Sequence, residues 1–165
     1  GGHCIPVYPR LYLAGDPDAT VVSAARAANA AMPAYAVSRA AALLGSLSGL
    51  RVAVLGAAYR GGVKETAFSG VFGVVSALRE AGAQVSVHDP LYSDDELAAF
   101  GWDAYHLGEP VDVAIIQADH ASYRDLAPAD LPGVRLLFDG RAITSPEAWA
   151  GTPHIAIGGG ASPAC

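Results

Sequence analysis

Short apolar runs alternate with helical stretches from Gly49 onward, and this alternation limits the fold more than any other pattern in the sequence. The first run is RVAVLG, and a helical stretch, VFGVVSALREAGA, separates it from the next run, QVSVHD. Later runs are DVAIIQA, VRLLFDG and HIAIGG, with a weaker helix predicted over SDDELAAFG. Strands separated by helices pair in parallel, and their crossovers are nearly always right-handed. We therefore predict an α/β fold, a Rossmann-like, doubly wound parallel sheet of five or six strands with helices on both faces.

The part of the chain before this alternation is alanine-rich and helical in pattern. Asp16 is a candidate N-cap with Pro17 in the first turn, which predicts a long helix over TVVSAARAANAAM. Pro33 should divide the helix, because proline removes a backbone donor and clashes with the preceding turn, and a second helix is expected over AYAVSRAAALLGSL. The many small side chains allow close helix packing, either within the chain or across a dimer.

Composition limits the classes of partner. The 165 residues are 52% hydrophobic, which is enough for a sizeable core, but no apolar run approaches the length of a membrane span. The net charge of −6 and the ten dispersed basic residues argue against nucleic acid or an anionic membrane surface as the main partner. Cys4 and Cys165 form neither a metal-binding spacing nor a disulfide framework, and the start of the chain has no secretory leader. We expect a cytoplasmic protein without a bound metal.

The turn after RVAVLG is the place where a fold of this type binds phosphate, and here it reads AAYRGG. The GxGxxG dinucleotide fingerprint is missing, because Tyr59 and Arg60 stand where a pyrophosphate needs close backbone approach. A different nucleotide pose is expected, in which Arg60 pairs with phosphate and Tyr59 offers its ring to a base or ribose. The alternative is that both are surface loop residues.

Two further strand ends carry polar residues at the rim where open α/β sheets bind ligands. Arg141, in FDGRAI, can direct a second guanidinium at the same diphosphate, or it can be a solvated loop residue. Asp89 stands where a dinucleotide-binding sheet has its ribose-binding acid, but Pro90 directly after it favours a strand-ending turn.

Cys4 lies between a glycine pair and a proline in GGHCIPVYP, and we expect it on a tight loop beside His3. A nucleophilic cysteine must be accessible and reacts as the thiolate, which a neighbouring imidazolium stabilises. The alternative is an inert buried thiol, which is the commoner state of a lone cysteine. No role is predicted for Cys165.

Taken together, these stretches resemble the UDP-glucose/GDP-mannose dehydrogenase family, and especially its branch that acts on UDP-N-acetylhexosamines. GGHCIPVYPRLYL resembles the catalytic loop, GGHCIPVDPYYL, and AARAANAAMPAY resembles the dimer-forming central helix. VLGAAYRGGVKETAFS is similar to VLGLAYKPNVDDTRES, and FDGRAI is the fourth matching motif. The four motifs follow one another along the chain in the same order as in the family. The resemblance spans nearly the whole chain. It implies a catalytic-cysteine loop and central dimerisation segment over residues 1–48, and a carboxyl-terminal UDP-sugar-binding domain over residues 49–165.

The family oxidises C6 of a nucleotide sugar from alcohol to carboxylate with two NAD molecules, through a cysteine thiohemiacetal and then a thioester. The resemblance implies that Cys4 is the nucleophile and that Tyr59, Arg60 and Arg141 bind the uridine diphosphate of the UDP-sugar. It also implies a homodimer through the central helix. NAD would be bound mainly by a domain upstream of these residues, so we expect this segment alone to be inactive.

Several positions depart from the family's pattern. Tyr8 stands where the catalytic loop has an aspartate, and a phenol is a poor base at neutral pH. Ala67 replaces an arginine, and Lys64 and Phe68 stand where acids are usual. Two hypotheses therefore stay open: part of an NAD-dependent UDP-sugar 6-dehydrogenase, or a catalytically degenerate nucleotide-sugar-binding or dimerisation module. A dinucleotide-binding domain of unrelated origin is a third, and the missing GxGxxG weakens it.

Overall fold

Six parallel strands and four α-helices are formed by residues 2–158, the part of the chain that the computed structural model describes. In chain order they are α1 (Cys4–Gly15), α2 (Thr20–Leu44), β1 (Arg51–Leu55), α3 (Val71–Glu80), β2 (Gln84–His88), α4 (Asp94–Ala99), β3 (Asp103–Ala104), β4 (Val113–Ile116), β5 (Leu136–Asp139) and β6 (His154–Ala156). The strand order is β3-β2-β1-β4-β5-β6, and every neighbouring pair is parallel. The predicted doubly wound α/β fold and the long helix before it are confirmed. Cys165 lies outside the described residues.

The two faces of the sheet are covered by different kinds of helix. Alternate residues of a strand point to opposite faces, so Val52 and Val54 meet α2, α3 and α4, whereas Ala53 and Leu55 face the other side. On that second side lie three short 3-10 helices, Ala121–Tyr123, Pro128–Asp130 and Pro146–Trp149. Two of them begin at a proline, and none is long enough to form a full α-helix. No helix within residues 2–158 has the length and apolarity needed to cross a bilayer.

The opening segment is a helix, so the prediction of a loop around Cys4 was wrong. The amide of Val7 donates to the His3 carbonyl at 3.1 Å, which closes the first turn. Pro9 lies inside α1 and lacks the N–H that would bond to the Ile5 carbonyl. Arg26 of α2 donates to that carbonyl instead, with Nη1 at 3.4 Å. A contact from α2 therefore helps the helix to tolerate its internal proline.

The boundaries of α2 also differ from the prediction. Asp16 does not cap α2; its amide donates to the Tyr12 carbonyl at 2.9 Å and ends α1. Pro33 does not divide α2, which continues through it as one helix. The Pro33 ring lies so close to Gly73 of α3 that a Cβ atom there would be 2.9 Å from the Pro33 Cγ. Packing of α2 against α3 therefore holds the helix together across the proline.

Candidate functional site

The loop after β1 is held by side chains from the carboxyl ends of the neighbouring strands. We call residues 56–62 (GAAYRGG) the β1 turn. Asp89, directly after β2, accepts hydrogen bonds through Oδ2 from the amides of Ala57 at 2.8 Å and Ala58 at 3.1 Å. Its Oδ1 accepts from the Leu91 amide at 2.9 Å, which confirms the strand-ending turn predicted for Asp89.

Asp89 is buried, and the groups that donate hydrogen bonds to its carboxylate set its pKa. Its side chain also contacts His120, with 3.1 Å between Oδ2 and Nε2. Burial raises the pKa of Asp89, but the hydrogen bonds from His120 and from the amides of Leu91 and Ala58 outweigh burial. The pKa consequently lies below the ordinary aspartate value, so Asp89 is a carboxylate at neutral pH.

The second half of the β1 turn is held by two consecutive residues that follow β4. The Gly61 amide donates to Asp119 Oδ1 at 2.9 Å, and the Gly62 amide donates to His120 Nδ1 at 3.3 Å. Gly61 is packed against backbone, because a Cβ atom there would lie 2.1 Å from the Asp119 carbonyl oxygen. The sequence analysis missed Asp119 and His120, although their place directly after a buried strand was a usable signal.

Tyr59 and Arg60 lie at the apex of the β1 turn. The Tyr59 amide donates to the Glu65 carbonyl at 3.1 Å, and the Tyr59 ring lies against Gly2. Arg60 is exposed, with its guanidinium carbon 6.0 Å from the centroid of the Tyr59 ring. In the described part of the chain no carboxylate lies within 4.0 Å of Arg60. Its charge is therefore available to an anion.

Arg141 lies at the same rim, on a turn shaped by Asp139. The fully buried Asp139 carboxylate accepts from the Arg141 amide at 2.9 Å and from the Ile143 and Thr144 amides at 2.8 Å. The Arg141 guanidinium donates to Asp119 Oδ1, with Nη2 at 3.0 Å. Asp119 therefore joins the Arg141 turn to the β1 turn. The Gly61 amide lowers the pKa of Asp119, and Arg141 adds to this effect, so that together they outweigh burial.

A cleft of about 360 Å³ opens between the α1–α2 pair and the carboxyl ends of β4 and β5. Its lining includes three arginines, Arg10, Arg26 and Arg141, together with Gln117. Arg26 is positioned by Asn29, whose Oδ1 accepts from Nη1 at 2.8 Å. Three cations around one concave surface favour an anionic ligand. The sequence analysis did not single out Arg10 or Arg26, because only the packing of α1 on α2 brings them to this rim.

The predicted nucleophile lies beside this cleft rather than in its wall. Cys4 is exposed at the first position of α1. The preceding residue, His3, packs edge-on against Phe68 with ring centroids 5.4 Å apart, and Phe68 lines the cleft. The segment of Cys4 therefore contacts both Tyr59, through Gly2, and the cleft edge. Among the predicted site residues, Arg141 lines the cleft, whereas Cys4, Tyr59 and Arg60 do not.

The positions that depart from the catalytic pattern are also placed in the structure. Tyr8 is 63% exposed. Lys64 is engaged by Glu96, with Nζ 2.7 Å from Oε2. Phe68 adopts a positive φ of 55°, a conformation that costs a residue other than glycine about 1–3 kcal/mol and that often occurs at ligand sites.

The β1 turn does not fit the pyrophosphate of a dinucleotide such as NAD. A Rossmann site offers free backbone amides to the phosphates. Here the amides of Ala57, Ala58, Gly61 and Gly62 all donate to side chains of the protein itself. Two of the three acceptors are carboxylates, which repel a phosphate. An anion at this rim must be bound by side chains, chiefly by arginine.

Comparisons with known proteins agree with this geometry. Residues 53–146 match the UDP binding domain of the UDP-glucose/GDP-mannose dehydrogenase family. The chain is 30% identical over 172 aligned positions to a UDP-N-acetyl-D-mannosamine dehydrogenase of Methanococcus maripaludis, an alignment that covers 98% of this chain and 40% of the relative. The chain thus spans well under half the length of this relative.

Solved structures give the same result. The UDP-D-ManNAc dehydrogenase from Pyrococcus horikoshii matches with a TM-score of 0.75 and 26% identity, over 96% of this chain and 38% of that one. A UDP-glucose dehydrogenase from Pyrobaculum islandicum matches with a TM-score of 0.73 and 29% identity, over 87% of this chain and 34% of that one.

Proposed function

The chain belongs to the UDP-glucose/GDP-mannose dehydrogenase family. From that premise we propose that it is part of an NAD-dependent UDP-sugar 6-dehydrogenase. This part binds the nucleotide sugar and carries the catalytic nucleophile of the enzyme. The observation that carries the proposal is the meeting of the Arg141 turn and the β1 turn at Asp119. The relatives named for UDP-N-acetyl-D-mannosamine favour a UDP-N-acetylhexosamine as substrate.

Arg60 and Arg141 are proposed to bind the diphosphate, and Tyr59 the uridine. Guanidinium groups form paired, charge-assisted hydrogen bonds with phosphate oxygens. Arg60 has no carboxylate partner within residues 2–158, and Arg141 is held at the rim by Asp119. The cleft volume of about 360 Å³ lies within the usual range of small-molecule sites.

Cys4 is proposed to capture the C6 aldehyde of the sugar. The thiol sulfur forms a bond to the aldehyde carbon, and the thiol proton passes to the carbonyl oxygen, which gives a thiohemiacetal. Loss of a hydride from that carbon and of the proton from its hydroxyl leaves a thioester, and hydrolysis by water releases the carboxylate and restores the thiol. NAD, bound mainly by the rest of the longer protein, would supply the hydride acceptor. Support for this role is the exposure of Cys4 at the segment that contacts Tyr59 and Phe68.

We also propose a homodimer that forms through α2, and a cytoplasmic location. The first half of α2 makes little contact with the sheet: Val21 is 80% exposed, whereas the buried residues of α2 are Ala36, Val37 and Ala40 in its second half. A partner helix would cover that apolar surface. A reducing compartment would keep the Cys4 thiol free for catalysis.

Titration calorimetry with UDP-N-acetylglucosamine tests the binding proposal. Arg60→Ala and Arg141→Ala should each weaken binding about 10- to 100-fold, as expected for loss of a charged hydrogen bond. Arg135→Ala is the matched control, because Arg135 lies at the amino end of β5, away from the rim. Absence of binding, or equal affinity in all four proteins, would remove the basis of the proposal.

The alternative is a nucleotide-sugar-binding or dimerisation module without dehydrogenase activity. It is favoured by Tyr8 and Ala67, which replace groups that the family uses for proton transfer and for binding NAD. The longer protein, assayed for NADH formation with UDP-N-acetylhexosamines, separates the two hypotheses. Activity that is lost in Cys4→Ser excludes the module, whereas a protein that binds the nucleotide sugar but forms no NADH supports it.

A further inference from the structure

Two consecutive residues in the loop after β4 hold both turns of the proposed diphosphate site. Asp119 accepts from the Gly61 amide at 2.9 Å and from Arg141 at 3.0 Å. His120 accepts from the Gly62 amide at 3.3 Å. Gly61 and Gly62 directly follow Tyr59 and Arg60, so these contacts fix the direction in which the turn presents its two proposed ligand-binding side chains.

The hydrogen bonds of His120 connect it to both halves of the β1 turn. Because the Gly62 N–H donates to Nδ1, that nitrogen must carry a lone pair, and the ring proton is on Nε2. Nε2 lies 3.1 Å from Asp89 Oδ2, so it donates to the carboxylate that holds Ala57 and Ala58. The ring is 3% exposed, and water cannot replace a lost partner easily. His120 therefore links both halves of the β1 turn.

The other groups that face His120 lie on neighbouring elements. Tyr123 packs edge-on against the imidazole, with ring centroids 5.5 Å apart, and its hydroxyl lies 2.7 Å from His88 Nδ1. Burial lowers the pKa of His88 and raises the pKa of Tyr123, so both are neutral at physiological pH. The Asp89 carboxylate lies 3.1 Å from Nε2, and the adjacent residue Asp119 carries a second carboxylate.

We infer that Asp119 and His120 are positioning residues for the nucleotide diphosphate, and that the acceptor at His120 Nδ1 is needed for tight binding. Without an acceptor at that position the Gly62 contact would be lost, and the turn that carries Tyr59 and Arg60 would loosen. This inference rests on the proposed function for its ligand, but not for the contact itself.

Calorimetry with UDP-N-acetylglucosamine tests the binding part. His120→Ala removes the acceptor, and we expect its affinity to be about three- to tenfold lower than that of the wild-type protein, as for loss of one hydrogen bond. His120→Asn keeps an acceptor near the position of Nδ1, so its affinity should stay close to the wild-type value. His106→Ala, at an exposed histidine, should also bind as the wild-type protein does. Equal affinity of His120→Ala and the wild-type protein would overturn the binding role.

A measurement without ligand separates this inference from the proposed function. In His120→Ala the hydrogen exchange of the Gly62 amide should be faster than in wild-type protein, and in His120→Asn it should stay slow. A Gly62 amide that exchanges at the same rate in all three proteins overturns the inference, whatever the ligand result. Faster exchange in His120→Ala, together with a wild-type protein that binds no nucleotide sugar, overturns the proposed function and the binding role but leaves the contact established.

Discussion

Two adjacent glycines of the β1 turn are required for different physical reasons, and alanine substitution distinguishes them. A Cβ atom at Gly61 would lie 2.1 Å from the Asp119 carbonyl oxygen and 2.6 Å from the His120 amide nitrogen. Both atoms are backbone, so no side-chain rotation can relieve the contact. At Gly62 a Cβ atom would meet nothing within 4 Å, but φ is +73°. Gly61 is therefore needed for close packing, and Gly62 for its conformation.

The magnitudes follow from these distances. An ordinary C···O contact needs about 3.3 Å, so Gly61→Ala must move the turn by roughly 1 Å. That movement stretches the 2.9 Å and 3.3 Å hydrogen bonds to Asp119 and His120 beyond their useful range. Loss of two such bonds, one of them to a carboxylate, should destabilise the fold by about 2–4 kcal/mol. Gly62→Ala should cost only about 1–2 kcal/mol, the usual penalty of the left-handed conformation.

Urea unfolding of the two variants measures this difference, and affinity for UDP-N-acetylglucosamine gives a second readout. Gly61→Ala should lower the unfolding free energy by more than Gly62→Ala, and it should weaken binding because Arg60 moves with the turn. Gly62→Asn should recover part of the loss in Gly62→Ala, since asparagine tolerates positive φ. If Gly61→Ala is no less stable than Gly62→Ala, the close approach of the two loops is wrong.

Three further outcomes test the packing and electrostatics. The pKa of Asp89 is lower in the folded protein than in the unfolded chain. The Asp89 carboxylate therefore stabilises the fold fully above the unfolded pKa of about 3.9, and this stabilisation is lost as the pH falls through the pKa of the folded state. Asp89→Asn should flatten the acid side of a plot of unfolding free energy against pH. Gly73→Ala should destabilise the wild-type protein by about 1 kcal/mol, because the new Cβ meets Pro33. In a Pro33→Ala background the same change should be stabilising, because alanine has the higher helix propensity. Denaturant unfolding of the wild-type protein, the two single variants and the double variant shows whether the sign reverses. Trp149→Phe should cost about 2 kcal/mol in the same assay, because it removes the 3.0 Å bond from Nε1 to the Leu126 carbonyl as well as buried volume, and an unchanged midpoint would contradict the role of that bond.

The sheet could be predicted because its strands are continuous apolar runs. β4 and β5 are buried at every position, and Asp139 at the end of β5 is their only polar residue, as expected for strands that are covered on both faces. β3 has only two residues and no such run, so the sequence gives no signal for its position. The errors near Cys4 and Pro33 arose because prolines were interpreted from local rules. Contacts with other elements, such as that of Arg26 with the Ile5 carbonyl, changed the outcome.

The site was predictable where a residue follows a strand, and not where it depends on distant packing. Arg141 lies after β5, and the carboxyl ends of parallel strands meet at one rim. Asp119 and His120 meet the same rule after β4, but each also bonds to a backbone amide of the β1 turn, which a sequence pattern does not reveal. Arg10 and Arg26 enter the cleft only because α1 folds onto α2.

The β1 turn is ordered by the protein's own side chains, and this has a thermodynamic consequence for recognition. A glycine-rich loop whose amides await a phosphate loses conformational freedom when its ligand arrives, and that loss reduces affinity. The amides of Ala57, Ala58, Gly61 and Gly62 are already bonded in the free protein, so the backbone is preorganised. Association should therefore leave the shape of the loop unchanged and immobilise little more than the arginine side chains.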